Sequence, residues 1–235
     1  MTKGSDLKAK KEEGEKRVGL FGGTFNPIHL GHLRGAEEIR EAFGLQEVIF
    51  IPAALPPHKM TEKIIEAHHR LEMVKQATQK NPRFSASDVE LKRLGKSYSI
   101  DTIRYFRDTF KDSVYFILGR DAFVEIDTWK DFRNIFFLCN FIIMTRPGLK
   151  GASPLPVALA SDFRYDPGVS GWVHVSGNMI FFKEINLLDI SSTKVRELVE
   201  RGESIRYLVP PEVETYIEKH GLYRRGQVQS YEVKT

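Results

Sequence analysis

Cysteine is almost missing from this chain: Cys139 stands alone among 235 residues, so no internal disulfide can form. Its setting in the apolar run FFLCNFII marks it as a small buried hydrophobe and not as a thiol nucleophile. Long apolar runs are missing as well. No stretch approaches the roughly 18 uninterrupted apolar residues of a membrane span, and the N-terminal MTKGSDLKAKKEEGEKR lacks the apolar centre of a secretory signal. No membrane partner is expected, and the expected location is cytoplasmic. Two glycine signatures are also absent. No Gly-Lys-Ser/Thr follows the early glycines, which removes the phosphate loop of kinases and ATPases, and the dinucleotide fingerprint is missing, which disfavours hydride transfer.

Net charge is scarce where it would matter. The chain is formally +4 with a pI near 9.0. Residues 1–17 hold six Lys/Arg against four Asp/Glu, and residues 224–235 hold three against one, so the two ends account for the whole excess. A nucleic-acid surface needs clustered Lys/Arg, and basic ends on a balanced body argue against that partner. At 41% hydrophobic and 28% charged residues the chain can bury one sizeable core. One domain over 18–223 is expected, between a basic, disordered tail at 1–17 and a C-terminal tail at 224–235.

Val18–Phe21 runs into Gly22-Gly23, and EVIFIP (47–52) runs into proline, which reads as strands ending in turns. Between them Leu33, Ala36, Ile39 and Phe43 recur at helical spacing over 30–43, with Gly44 placed as a left-handed stop. Further strands are expected at 84–87, 114–118, 141–144 and 179–185. Helices are expected at 66–79, 99–110 and 130–137. Strands alternating with helices imply βαβ units. The fold class is therefore α/β and Rossmann-like, a parallel sheet with helices on both faces and ligands at the carboxyl ends of its strands. A short C-terminal helical segment follows, opened after Ser191-Ser192-Thr193 and again by Pro210-Pro211. Residues 147–178, rich in Pro, Gly and Ser with no clean period, read as a variable loop or a partly ordered excursion.

The densest chemical signal is GGTFNPIHLGH, residues 22–32, where the first strand hands over to the first helix. Gly22 and Gly23 allow close backbone approach, and the helix start offers amide N–H groups to an anion. His29 and His32, three residues apart, face the same way, and Gly31 leaves that side uncluttered. Such a pair suits a polyphosphate that gains charge during transfer. Zinc is the blander alternative. It needs further ligands, which only His58, His68 and His69 could supply. In the second cluster, ISSTKVR (190–196), Ser191 or Ser192 can cap a helix, and Arg196 lies on the same face as Ser192.

GGTFNPIHLGH followed some 160 residues later by ISSTKVR resembles the nucleotidyltransferase superfamily with a paired-histidine motif and an ISST-type motif. IPAALPPHK (51–59), KSYSIDT (96–102), LGRD (118–121) with Trp129 following, and TRPG (145–148) are similar to stretches of bacterial nicotinate mononucleotide adenylyltransferases. The resemblance covers about residues 17–223. It implies the nucleotidyltransferase variant of the Rossmann-like fold, and it implies a reaction. Nicotinate mononucleotide and ATP, with Mg2+ on the ATP phosphates, give deamido-NAD and pyrophosphate by direct attack on the α-phosphorus.

By the same resemblance Gly23, Thr24 and Phe25 contact ATP phosphates, and His29 and His32 steady the α- and β-phosphates. Ser191, Ser192 and Arg196 belong to the β/γ end, Gly119 and Asp121 to the ATP ribose, and Lys59 adds charge near the reacting phosphates. Trp129 is the aromatic platform for the pyridine ring, Ser99 meets the nicotinate carboxylate, and Arg146 is the candidate for the mononucleotide phosphate. Arg120, between Gly119 and Asp121, departs from the family pattern, where a smaller residue is usual. Phosphopantetheine adenylyltransferase, or a nucleotide-binding sensor without turnover, is the rival reading. The sequence leaves assembly into a homo-oligomer open.

Overall fold

The computed structural model describes residues 16–55, 64–93, 95–110, 113–146, 155–186 and 188–224. The tails outside 16–224, Lys59 and His58, and residues 147–154 of the expected variable loop lie outside the described residues.

Among the described residues, eight strands are hydrogen-bonded in the order β3-β2-β1-β4-β5-β8-β7-β6. They are β1 Arg17–Gly23, β2 Glu47–Pro52, β3 Phe84–Ala86, β4 Ser113–Gly119, β5 Asn140–Thr145, β6 Phe163–Asp166, β7 Gly171–His174 and β8 Met179–Glu184. The helices are α1 Leu30–Phe43, α2 Ala67–Thr78, α3 Ser99–Phe110, α4 Arg120–Val124, α5 Phe132–Ile135, α6 Ser192–Arg201 and α7 Pro211–Lys219. Among the described residues no helix is long and apolar enough to cross a membrane.

The chain divides into two compact units. The first comprises Met1–Phe21, Glu37–Val48 and Tyr98–Asn186; the second comprises Gly22–Ala36, Ile49–Ser97 and Leu187–Thr235. In the first unit β1, β4, β5 and β8 run parallel, with Val18 opposite Val114, Phe116 opposite Phe141 and Ile142 opposite Phe181. Their apolar runs are near-continuous, as strands covered on both faces require, and Leu20, Ile117, Phe141, Ile142 and Ile143 are fully buried. Helix α3 turns Ile100, Ile103 and Phe106 inward at the spacing read from the sequence. Full burial of one such side chain stabilises by about 2 kcal/mol.

One expectation is narrowed and one fails in this unit. Residues 147–178 are not only a loop, because β6 and β7 form an antiparallel hairpin that pairs with β8. Each strand is four residues long, too short to display a period, and it becomes a strand only by pairing with a neighbour distant in sequence. The helix expected at 130–137 shrinks to α5, preceded by α4 and a 3-10 turn at Ile126–Thr128. Asp131 adopts a left-handed φ of 56°, which a continuous helix cannot contain.

In the second unit α2 packs on α7, with Leu71, Met73 and Val74 from one and Val213 and Ile217 from the other buried. Pro211 occupies the first position of α7, where its missing N–H costs nothing. Ser191 caps α6, accepting a hydrogen bond from Lys194 N–H at 3.1 Å. This decides between the two serines named from the sequence.

Candidate active site

The loop between β1 and α1 is built around Phe25. Its backbone sits at φ 47°, a left-handed conformation unusual for a residue with a side chain, and packing holds it there. The ring is buried, meets His32 edge-on at 5.1 Å and lies 5.9 Å from Phe50. A Cβ on Gly23 would come within 2.9 Å of the Phe25 ring, so the glycine makes room for that ring. This is a tighter reason than the close backbone approach inferred from sequence.

His29 lies just before α1 and His32 in its first turn, with their rings stacked at 3.6 Å. The His29 backbone N–H donates to His32 Nδ1 at 3.2 Å, so a neutral His32 carries its proton on Nε2. His29 is 6% exposed, and its Nδ1 is buried without a hydrogen-bond partner. A Cβ on Gly31 would stand 3.1 Å from that Nδ1 and 3.5 Å from the Leu188 carbonyl oxygen, which makes glycine the residue that fits. Burial lowers the His29 pKa to about 4. Burial, and then neighbouring His29, holds His32 well below the ordinary histidine value. Both imidazoles are therefore neutral near pH 7, and they present N–H donors and not fixed cations.

The second motif grips this loop. Ser192 Oγ donates to the Pro27 carbonyl and Arg196 Nη1 to the Asn26 carbonyl, each at 2.8 Å. Arg196 Nη2 lies 3.4 Å from Thr193 Oγ1. Two segments far apart in sequence thus form one polar cluster, in which the Arg196 fork lies against the first loop. The amide of Leu30, at the start of α1, already donates to the Leu208 carbonyl at 2.9 Å. The helix start consequently offers an anion less than the sequence suggested.

Three residues of this cluster escaped the sequence reading. Asn26 accepts through Oδ1 from Tyr223 O–H at 3.0 Å and from Ile65 N–H at 3.4 Å. Burial pushes the Tyr223 pKa up, so it remains a donor. Arg70, on the buried face of α2, donates to three main-chain carbonyls. Its signal was available: an arginine three and four residues before Met73 and Val74 stands on an apolar face.

The remaining candidates lie in the first unit. Gly119 ends β4, with open space where a Cβ would be, and Asp121 is exposed in the first turn of α4. Ser99 opens α3 and is half-buried. Trp129 is half-buried, standing edge-on to Phe116 at 6.2 Å and 90°. Lys130 Nζ sits 4.3 Å from the Tyr98 ring centre and 3.9 Å from Asp101 Oδ2, which ties the chain flanking Ser99 to the chain flanking Trp129. Arg146 is exposed immediately after β5. Among the described residues no group of three or more His, Cys, Asp or Glu is placed to hold a metal ion. His69 instead packs against His220 and bonds the Tyr216 hydroxyl at 2.9 Å.

Parallel strands with paired imidazoles and a capped serine-arginine helix at the first loop describe a nucleotidyltransferase. Residues 20–198 accordingly match the family model described as cytidylyltransferase-like. The chain is 46% identical over 212 residues to the "Probable nicotinate-nucleotide adenylyltransferase" of Syntrophotalea carbinolica, covering 88% of this chain and 97% of that protein. It is 48% identical over 211 residues to that of Citrifermentans bemidjiense, covering 88% and 98%. The chain belongs to the nicotinate-nucleotide adenylyltransferase family. Its fold resembles that of the Plasmodium falciparum nicotinic acid mononucleotide adenylyltransferase complexed with NaAD, at a TM-score of 0.66 and 19% identity over 88% of this chain and 97% of the other.

Proposed function

We propose that this chain transfers the adenylyl group of ATP to the phosphate of nicotinate mononucleotide, giving deamido-NAD and pyrophosphate, a step of NAD biosynthesis. A mononucleotide phosphate oxygen forms a bond to the α-phosphorus. The bond from that phosphorus to the bridging oxygen breaks, and its electron pair leaves with pyrophosphate. No protein nucleophile takes part, so catalysis is positioning plus stabilisation of the charge that develops on the phosphate oxygens.

One observation carries this reading: Ser192 and Arg196 are hydrogen-bonded to the Pro27 and Asn26 carbonyls, in the same loop that carries the stacked, neutral His29 and His32. Neutral imidazoles donate N–H groups where charge develops, and the Arg196 fork supplies a cation able to meet two phosphate oxygens. Gly23, Thr24 and Phe25 contribute the loop that meets the phosphates, and Ser191 holds the start of α6 beside Ser192. The donors of this loop are imidazoles and main-chain amides, not a carboxylate set. They suit magnesium that enters on the ATP phosphates as part of the substrate.

For the rest of ATP and for the acceptor, Gly119 and Asp121 take the ribose, Trp129 the pyridine ring, Ser99 its carboxylate, Arg146 the mononucleotide phosphate, and Lys59 adds charge. The 46% and 48% identities to relatives named for this activity support the substrate pair. A single domain over 18–223 and a cytoplasmic location go with the same proposal.

The test is purified protein with ATP and magnesium, offered nicotinate mononucleotide, nicotinamide mononucleotide and phosphopantetheine in turn, with pyrophosphate release followed. Release with nicotinate mononucleotide in preference to the others is the expected result. Silence with both pyridine mononucleotides rejects the proposal.

A further inference from the structure

Among the described residues Arg70 is the largest of the fully buried side chains, with 1% of its surface exposed. A guanidinium is not placed in a protein interior without acceptors, because removing a cation from water costs several kcal/mol before any partner is counted. Here its planar fork reaches three main-chain carbonyls at once. Nη1 donates to Thr24 O at 2.8 Å, Nε to Ile65 O at 3.0 Å and Nη2 to Ala54 O at 3.1 Å. Those carbonyls belong to three stretches: the loop after β1, the chain leaving β2 and the chain entering α2. A lysine, with its donors on one point, cannot span them.

The contact to Thr24 has a consequence for the neighbouring amide. In a planar trans peptide the C=O and the following N–H point in opposite directions. With the Thr24 carbonyl turned to Arg70, the Phe25 N–H is turned away from it. The left-handed φ of Phe25, its ring packing against His32, and the Asn26 side chain bonded to Ile65 N–H limit how far that peptide can rotate. Ile65 is held at both peptide groups, by Arg70 through its carbonyl and by Asn26 through its amide.

We propose that Arg70 is a positioning residue for adenylyl transfer: by holding the Thr24 carbonyl it orients the Phe25 amide toward the phosphates of ATP. The proposal rests on the adenylyltransferase reading above. Arg70 touches no substrate and acts through the main chain.

The test pairs kinetics with a spectroscopic reading of the native protein. Arg70→Lys and Arg70→Met, assayed well below their melting temperatures, should lower kcat/KM for ATP by about tenfold to a hundredfold, the scale on which misplacing a reacting group acts. KM for nicotinate mononucleotide should stay within about twofold, because Ser99 and Trp129 belong to the other unit. ATP kinetics of both variants within about twofold of the native enzyme would reduce Arg70 to a packing role and overturn the proposal.

Should either variant fail to fold, the native protein still decides. In protein labelled with 15N-phenylalanine, titration with a non-hydrolysable α,β-methylene analogue of ATP should move the Phe25 amide proton downfield. Other resonances moving while the Phe25 amide stays still would overturn the role of Arg70 and leave the enzyme reading intact. No resonance moving at all would mean that ATP is not bound, and the functional reading itself would fall.

Discussion

Acid should destabilise this protein through His29, and the size of the effect follows from its burial. In the folded state the imidazole titrates near pH 4, against 6.5 when free in water. Between those values the unfolded chain binds a proton that the folded chain refuses, so stability falls as the pH falls. The contribution is intact above about pH 6.5 and fully lost below about pH 4. A gap of about 2.5 pH units, at about 1.4 kcal/mol each, amounts to about 3 kcal/mol, of which about 2 kcal/mol is gone by about pH 5. Carboxylates contribute as well, so the measurement is a difference. Urea unfolding of the native protein and of His29→Asn is compared at about pH 7.5 and about pH 5. The native protein should lose about 2 kcal/mol more than the variant between the two conditions, since the groups common to both cancel. Equal losses would show that His29 carries no such burden and would refute the argument that the pair is held neutral.

His32→Ala should leave the melting temperature within a few degrees of native while lowering turnover by about two to three orders of magnitude, the scale of removing a donor to developing charge; a folded variant with native turnover would exclude that role. Arg196→Lys keeps the charge but loses the fork that reaches Asn26 O and that the proposed function assigns to the phosphates, so ATP affinity measured by calorimetry should fall about tenfold. Equal affinities would leave Arg196 as a loop tether alone. Trp129→Ala should weaken nicotinate and nicotinamide mononucleotides alike, since stacking is nearly indifferent to carboxylate against amide. Ser99→Ala should instead narrow the kcat/KM ratio between them by about tenfold to a hundredfold, the worth of one charge-assisted hydrogen bond. Reversed outcomes for the two variants would dismiss this division of labour.

The sequence by itself determined the elements with a long, strong period and the motifs that depend on local chemistry. The stripes of α1 and α3 and the apolar runs of β2, β4 and β5 appear within a residue of where they were read. The pairing of His29 with His32 and the cap on α6 follow from spacing of three residues, which one helical turn enforces.

Tertiary structure decided what depends on neighbours distant in the chain. The β6–β7 hairpin exists because β8 offers an edge to four-residue segments with no signature of their own. Asp131 breaks a helix that its sequence would allow. The roles of Asn26, Arg70 and Tyr223 are set by what lies against them: the Tyr223 hydroxyl meets Asn26 across 197 residues, and Arg70 reaches the Thr24 and Ala54 carbonyls, 46 and 16 residues away. A hydrogen bond or a van der Waals limit between remote segments leaves no periodic trace in either segment. Only the folded chain, by bringing both ends of the contact together, reveals what such a residue is for.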